Sequence, residues 1–348
     1  MTKRRILAVA LPWAAALFSC AVVAVLVLNA FAIRGRSEAE EPGENMGVVQ
    51  TALRTIEEGV LSALSMVPTG KSSSPIVAAI IENHKEARDD QQGLTEAIAV
   101  FEMIVEGDIT RFLALYSAND LPKNIGPCRS LRLAFLEATG IYRPLYLHIG
   151  GNHLAYEYLQ AHPELRHHDG IRYDGKTYHR DAAIPAPHNV FMDQNALNGV
   201  LKDTKGLRDV PLPLFPYENT IPDGAKPASE ITVDLQSPDH NVTYTYDAFE
   251  RRYRRAIAGA PRQSLPANVL LLETVMDGYG TPGAIPWTKT FGKGRLFFAT
   301  RGKIFEGTWM REEEGAFSFK DPKGNALPFS RGQTWIMMIP SLRAVKAK

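Results

Sequence analysis

Arg129, Ser130 and Arg132 stand within four residues of one another, just after Gly126-Pro127. Proline is tolerated in the first turn of a helix, and Leu131, Phe135 and Leu136 supply an apolar side, so the sequence predicts a helix opening there. The first turn of a helix presents free backbone N–H groups and the positive end of a dipole, which favour an anion. Arginine is misplaced at that end unless something negative answers it. A ligand carrying phosphate or carboxylate would answer it, and the planar guanidinium fork suits such a group. Glu102 or Glu106 would do so as well, in a buried ion network without catalysis. Both readings stay open, with Arg129 and Arg132 placed to serve either.

Seven of the nine histidines, His148, His153, His162, His167, His168, His179 and His188, fall within one 41-residue window. Their spacing matches no zinc motif: HEXXH is absent, and adjacent histidines on a loop such as His167-His168 rarely ligate together, so no metal ligand and no cofactor are assigned. His188-Asn189 follows Ala186-Pro187. Proline stiffens that approach, and histidine can exchange a proton near neutral pH, which makes His188 a candidate acid or base beside the commoner structural role. Glu106 is the other catalytic candidate. Ser130 with His188 or His148 would give a nucleophile and base, but no Gly-x-Ser-x-Gly supports it. The catalytic residues therefore stay unknown.

The element that must position these groups is a hairpin. Ile98 to Val105 and Arg111 to Tyr116 are apolar at nearly every position, as in strands covered on both faces. Gly107-Asp108 suits a two-residue turn between them. That turn sets Ile104 opposite Arg111 and places Glu102, Glu106 and Arg111 on one face, three charges inside a core.

At 348 residues and 45% hydrophobic composition the chain can bury one or two sizeable cores. Ile6 to Ile33 runs 28 residues without a charge, between Lys3, Arg4, Arg5 and Arg34, Arg36. That length spans a bilayer, so residues 1–36 read as a retained anchor, a single pass in the cell membrane with the main domain outside. Leu17-Phe18-Ser19-Cys20 loosely resembles a lipoprotein cleavage box, which leaves lipidation of Cys20 as the alternative. Without the five flanking basic residues, 34 basic stand against 38 acidic residues, a net of −4 that argues against a nucleic-acid partner. Cys128 stands alone outside the anchor and reads as a buried small hydrophobe.

Residues 37–75 hold a juxtamembrane helix and a linker. Val49, Leu53, Ile56, Val60 and Ala63 recur at helical spacing, giving a face through which copies could associate as a homo-oligomer or which could lie on a surface. Residues 76–210 alternate strands and helices: a strand at Ile76 to Ile81, another at Leu145 to Ile149, a helix capped by Asn152, and a further helix near Asn195 to Lys202. They read as an α/β domain with a mixed sheet and helices. Residues 211–348 read as a β-rich C-terminal domain with a short helix around Ala248 to Ala256 and hairpin turns at Arg301-Gly302-Lys303 and Pro322-Lys323-Gly324-Asn325.

The chain carries Asn83-His84 with Ala87-Arg88, Glu106-Gly107 with Ile109-Thr110-Arg111, and Ile125-Gly126-Pro127 with Arg129-Ser130 and Arg132. His148 with Gly150-Gly151, Arg180-Asp181, Ala186-Pro187-His188-Asn189, Gly307-Thr308-Trp309 and Gly332-Gln333-Thr334-Trp335-Ile336 continue the series. In these motifs and their order the sequence resembles the YerB-like family, a bacterial family of lipoproteins and membrane-anchored envelope proteins classed as a domain of unknown function in two parts. The resemblance covers about Pro75 to Pro340 and implies an extracytoplasmic location and a two-part architecture. It supplies no reaction. The chain departs from the pattern in the DDQQG loop after Arg88, at Asp108 and at Cys128.

Together these readings give a membrane-anchored envelope protein that binds an anionic ligand, such as a phosphate-bearing lipid carrier, a cell-wall fragment or a glycan. The expected binding residues are Asn83, Arg111, Arg129, Ser130, Arg132, His148, Arg180, His188 and Asn189. The alternatives are a hydrolase or transferase with His188 as acid or base, and a non-catalytic scaffold for protein partners.

Overall fold

The computed structural model describes residues 72–218, 220–221, 224–279, 281 and 286–348. The expected anchor, Cys20 and the juxtamembrane helix lie outside these residues. Among the described residues no helix is long and apolar enough to cross a membrane.

The core begins at β1 (Ile76–Ile81), all six residues of which are buried. There follow β2 (Ala99–Ile104), β3 (Thr110–Ser117), α1 (Leu133–Thr139), β4 (Leu145–His148), α2 (His153–Ala161), β5 (Arg166–Asp169) and α3 (Gln194–Asp203). Asn152 caps α2 as expected, its side chain accepting from Ala155 N, and Asp193 caps α3 through Ala196 N. The later chain supplies β6 (Glu230–Val233), β7 (Val242–Asp247), β8 (Arg252–Ile257), β9 (Asn268–Glu273), β10 (Gly292–Thr300), β11 (Lys303–Arg311), β12 (Thr334–Ile339) and β13 (Val345–Ala347).

Eleven strands make one mixed sheet, in the order Lys226–Pro227, β11, β10, β9, β12, β2, β3, β1, β4, β5, with Ser318–Lys320 on β11. β12 pairs parallel with both β9 and β2. Side chains alternate across the sheet and sort into two cores. One face carries Val77, Val100, Phe112, Leu147, Val269 and Trp335, which share a core with Ile231, Tyr244 and Ile257 of the five-stranded sheet formed by β6, β7, β8, β13 and Ala260–Pro261, and with Leu197 of α3. The other face carries Ala78, Phe101, Leu113, Leu270 and Ile336, covered by Phe135 and Leu136 of α1 and Leu159 of α2. The fold is therefore β-rich with mixed sheets and few helices. The α/β description of residues 76–210 fits only in part, because one face of their strands is covered largely by a second sheet. Residues on both sides of the 210/211 boundary share the large sheet, and 71–348 form one compact unit.

Three expected details change. The hairpin turn has three residues, Glu106-Gly107-Asp108, closed by Val105 N donating to Ile109 O at 2.8 Å, with Gly107 at φ 69°. The pairing accordingly sets Ile104 opposite Thr110 and Met103 opposite Arg111. A one-residue slip turns every side chain to the other face, so Glu102 and Arg111 lie on opposite faces of the sheet. The helix expected at Gly126-Pro127 starts only at Leu133, with Arg132 at its N-cap. Residues 127–129 are instead bonded to the end of β1 and to Val190, through Glu82 N to Pro127 O, Arg129 N to Ile80 O and Cys128 N to Val190 O. A side chain at Gly126 would sit 2.6 Å from Phe191 and 2.8 Å from Val190 O, so the glycine serves this close approach. The helix expected around Ala248 to Ala256 is instead the turn into β8 and most of that strand, where Tyr253, Arg255 and Ile257 alternate inward. Arg255 faces inward among apolar residues, so the strand's alternation is masked by an arginine at a buried position.

Candidate functional site

β1, β4 and β5 run parallel and end together at Glu82, His148 and Asp169. The crevice beyond the carboxyl ends of parallel strands is where open sheets present ligand-binding groups. The extended segment from Cys128 to Leu131 runs along this end, with Ile149 N donating to Arg129 O and Leu131 N to Gly150 O. His188 arrives from the turn before the strand Val190–Asp193, its N–H bonded to Pro185 O. The structure thus brings Arg129 and His188 together.

They meet on Glu82, which is 3% exposed. One carboxylate oxygen lies 3.1 Å from Arg129 Nε and the other 3.0 Å from His188 Nδ1. His188 Nε2 faces Glu86 Oε2 at 3.3 Å. The His84 ring stacks on His188 with centroids 5.0 Å apart and planes 10° from parallel. His84 also caps the 3-10 turn Lys85–Asp90, its Nδ1 accepting from Glu86 N. Arg129 Nη1 donates to Pro187 O at 3.4 Å.

Each of the other predicted arginines finds its partner within the protein. Arg132 grips Glu106 with two bonds of 2.6 and 2.8 Å. Burial pushes the Glu106 carboxyl up, but the Arg132 bonds and charge outweigh it and hold it below the usual carboxylate range. Arg111 donates to Ser130 O at 2.8 Å, and burial, together with Arg132, pushes its guanidinium down to about 9. Arg180 is bonded to Asp174 and to Asn189, whose amide donates to Asp181 O. For Arg129, Arg132 and Arg180 the ion network is the arrangement present. Asn83 donates to Thr110 Oγ1 at 2.6 Å inside the core. His148 is fully buried, with Nδ1 2.8 Å from Gly150 O and Nε2 3.0 Å from His167 Nδ1. Cys128 is buried as expected, and burial alone pushes its thiol up to about 12.

Two cavities gather groups that the sequence did not place together. One, of about 370 Å³, is lined by Tyr156, His167, Asp169, Ile171 and Arg172 at the end of β5. Asp169 is engaged there by Tyr156 Oη at 2.7 Å and Gly150 N at 2.8 Å. The other, of about 130 Å³, is lined by Arg88, Arg255 and Arg262 with Gln91, Ser264 and a single acid, Asp89. Arg88 is 5% exposed and is held by neutral groups: the Asn83 carbonyl oxygens at 3.2 and 3.3 Å and the His240 ring at 3.0 Å. Burial, then the charges of Arg262 and Arg255, push Arg88 down to about 10. His240 is pushed down to about 4 by burial and by Arg88. Arg262 donates to Asp89 at 2.8 Å, while its buried Nε has no hydrogen-bond partner. In the sequence, only the Ala87-Arg88 motif pointed here. Arg255 lies in the stretch expected to be a short helix, and Arg262 falls outside any expected element.

A mixed sheet shared by both halves of the chain, with the motif residues at its carboxyl ends and at the junction of the halves, defines a two-part β-rich protein. Residues 61–207 match the N-terminal domain, and residues 231–336 the C-terminal domain, of the protein family of unknown function DUF3048, and the chain belongs to this family. It is 29% identical over 285 residues to the protein named "Putative lipoprotein YerB" of Bacillus subtilis (strain 168), covering 77% of this chain and 82% of that one. The crystal structure of the YerB protein from Bacillus subtilis shares the fold, with a TM-score of 0.69 at 22% identity, over 79% of this chain and 94% of that chain.

Proposed function

We propose that this protein is a membrane-anchored, extracytoplasmic envelope protein that binds an anionic ligand, whose charged group enters the cavity between Arg88, Arg255 and Arg262. The observation that carries this reading is three guanidinium groups around one cavity whose single acid, Asp89, has a side chain 93% exposed. Arg255 is answered by the buried Glu102 and Arg262 by Asp89 at the rim, which leaves Arg88, held only by neutral groups, as the buried charge that calls for a negative partner, and phosphate or carboxylate fits the guanidinium fork. The unpartnered Arg262 Nε offers a donor to it. The ligands with this chemistry are a phosphate-bearing lipid carrier, a cell-wall fragment or an anionic glycan. The name of the Bacillus relative supports a location at the membrane outside the cytoplasm. Arg129 and Arg132, with their carboxylates in place, hold the fold in this reading.

Thermal unfolding of the full-length protein against a panel of such ligands tests it. A ligand at a hundred times its dissociation constant adds about 2.7 kcal/mol to the folded state. The shift disappears in Arg262→Ala and persists in Arg129→Ala, which melts lower for lack of the Glu82 pair. A shift that survives Arg262→Ala, or no shift with any ligand, sinks the reading.

A further inference from the structure

His84, Glu86 and His188 present three ligand atoms that all lie within 4.8 Å of one another. They come from two distant segments, the Lys85–Asp90 turn with its cap and the turn before Val190–Asp193. We infer that this cluster is a divalent metal site of the zinc type, with two imidazoles and one carboxylate as ligands and a position left open to solvent.

The argument starts from His188. Both of its ring nitrogens face carboxylate oxygens, Nδ1 that of Glu82 at 3.0 Å and Nε2 that of Glu86 at 3.3 Å. A neutral imidazole has one N–H. With Nδ1 donating to Glu82, the Nε2 lone pair confronts the Glu86 carboxylate, an arrangement that a proton or a metal ion between them relieves. A second proton would satisfy His188 alone. A metal ion also uses His84, whose ring is parallel to that of His188 and which offers a nitrogen to the same space.

The surroundings match what a bound metal requires. Histidine ligands characteristically donate their other nitrogen to a carboxylate, which fixes the tautomer and raises ligand basicity. Glu82 stands in that place, buried, with its remaining oxygen in an ion pair 3.1 Å from Arg129 Nε. Metal–ligand bonds of about 2.0–2.2 Å require the donor atoms to draw closer than they stand. The Glu86 and His84 side chains are 66% and 30% exposed and have room to swing inward, while His188 is fixed. Two nitrogens and one carboxylate oxygen suit zinc and the other late first-row divalent ions, and three protein ligands leave the open position typical of a site that binds something further. The site shares the Lys85–Asp90 turn with the arginine cavity but none of its lining side chains, and it does not require that reading to hold.

Zinc competition against a chromophoric chelator, with the full-length protein first stripped by EDTA, tests the inference. One zinc per chain is expected. His84→Ala and Glu86→Gln, both at exposed or half-exposed positions, are expected to fold with unchanged circular dichroism and to lose the bound ion. Glu82→Gln keeps the stoichiometry and weakens zinc binding about 10–100-fold. Arg262→Ala leaves zinc binding unchanged, which separates this site from the anion cavity. Absence of zinc binding in the wild-type protein, or binding undiminished in folded His84→Ala and Glu86→Gln, overturns the inference.

Discussion

His148 shows how far a residue type foretells its use. Its place in a motif with Gly150-Gly151 marked it as a ligand candidate, yet it is fully buried at the end of β4 with both ring nitrogens occupied. Burial outweighs the Gly150 carbonyl and Asp169, and its pKa falls to about 4 from the ordinary 6.5. The folded protein therefore keeps the ring neutral where the unfolded chain would protonate it. Its contribution to stability is full above pH ~6.5 and is lost as pH falls through about 4, at most about 3 kcal/mol in all. Urea unfolding between pH ~7 and ~4 is expected to show this loss, and His148→Asn is expected to reduce it. Equal slopes in the two proteins would exclude the assignment. Arg129, His148 and His188 are legible in the sequence as candidate groups, whereas Glu82 and Glu86 are not. Which of them are sealed, and which meet Glu82, is set by backbone pairings that no local pattern encodes.

At the scale of elements, the charge inside the core has its explanation in Glu102. Its carboxylate lies at the centre of β2, 0% exposed, and accepts from Thr110 Oγ1 at 2.8 Å, from Trp335 Nε1 at 2.8 Å and from Arg255 Nη2 at 2.9 and 2.8 Å. Arg255 lies over the Trp335 ring at 4.4 Å and bonds Tyr244 Oη at 3.4 Å. Four strands, β2, β3, β8 and β12, are thereby tied through one carboxylate, with its acceptor capacity filled. Arg255→Met leaves that charge buried and unpaired and is expected to cost about 3–5 kcal/mol, whereas Glu102→Gln combined with Arg255→Met costs clearly less than the sum of the two. Chemical denaturation of the three variants checks this. The need for a partner to Glu102 was legible from an acid inside an apolar strand. Arg255 was not, because it lies far along the chain on a strand whose alternation is masked by an arginine at a buried position.

For the whole molecule, the decisive piece is β12. It comes from the end of the chain and fills the gap between β9 and β2, while Gln333 just before it donates to Leu94 O at 2.6 Å and Ala97 O at 2.9 Å. In this chain both parts therefore contribute strands to one sheet, and a chain cut after residue 210 leaves the β2 edge unpaired and its Trp335-side core open. The described region is expected to unfold in one cooperative transition by calorimetry. A chain ending at residue 210 is expected to aggregate or to lack hydrogen-exchange protection in β2. Two separate transitions, or a stable soluble fragment, would show that the halves fold independently.

The sequence by itself determined the family, the β-rich later half, the strand β1, the two-sided burial of β2 and β3, the Asn152 cap and the buried character of Cys128. These follow from local patterns: apolar runs, alternation, capping residues and motif order. Only the tertiary structure decided the hairpin register, the pairing of Arg129 with Glu82 and Arg132 with Glu106, the meeting of His84 with His188, and the ring of Arg88, Arg255 and Arg262. Each of these depends on strands distant in sequence or on a single residue in a turn. A one-residue change in a turn reverses a whole strand's faces, and contacts between distant strands leave no periodic mark in either of them.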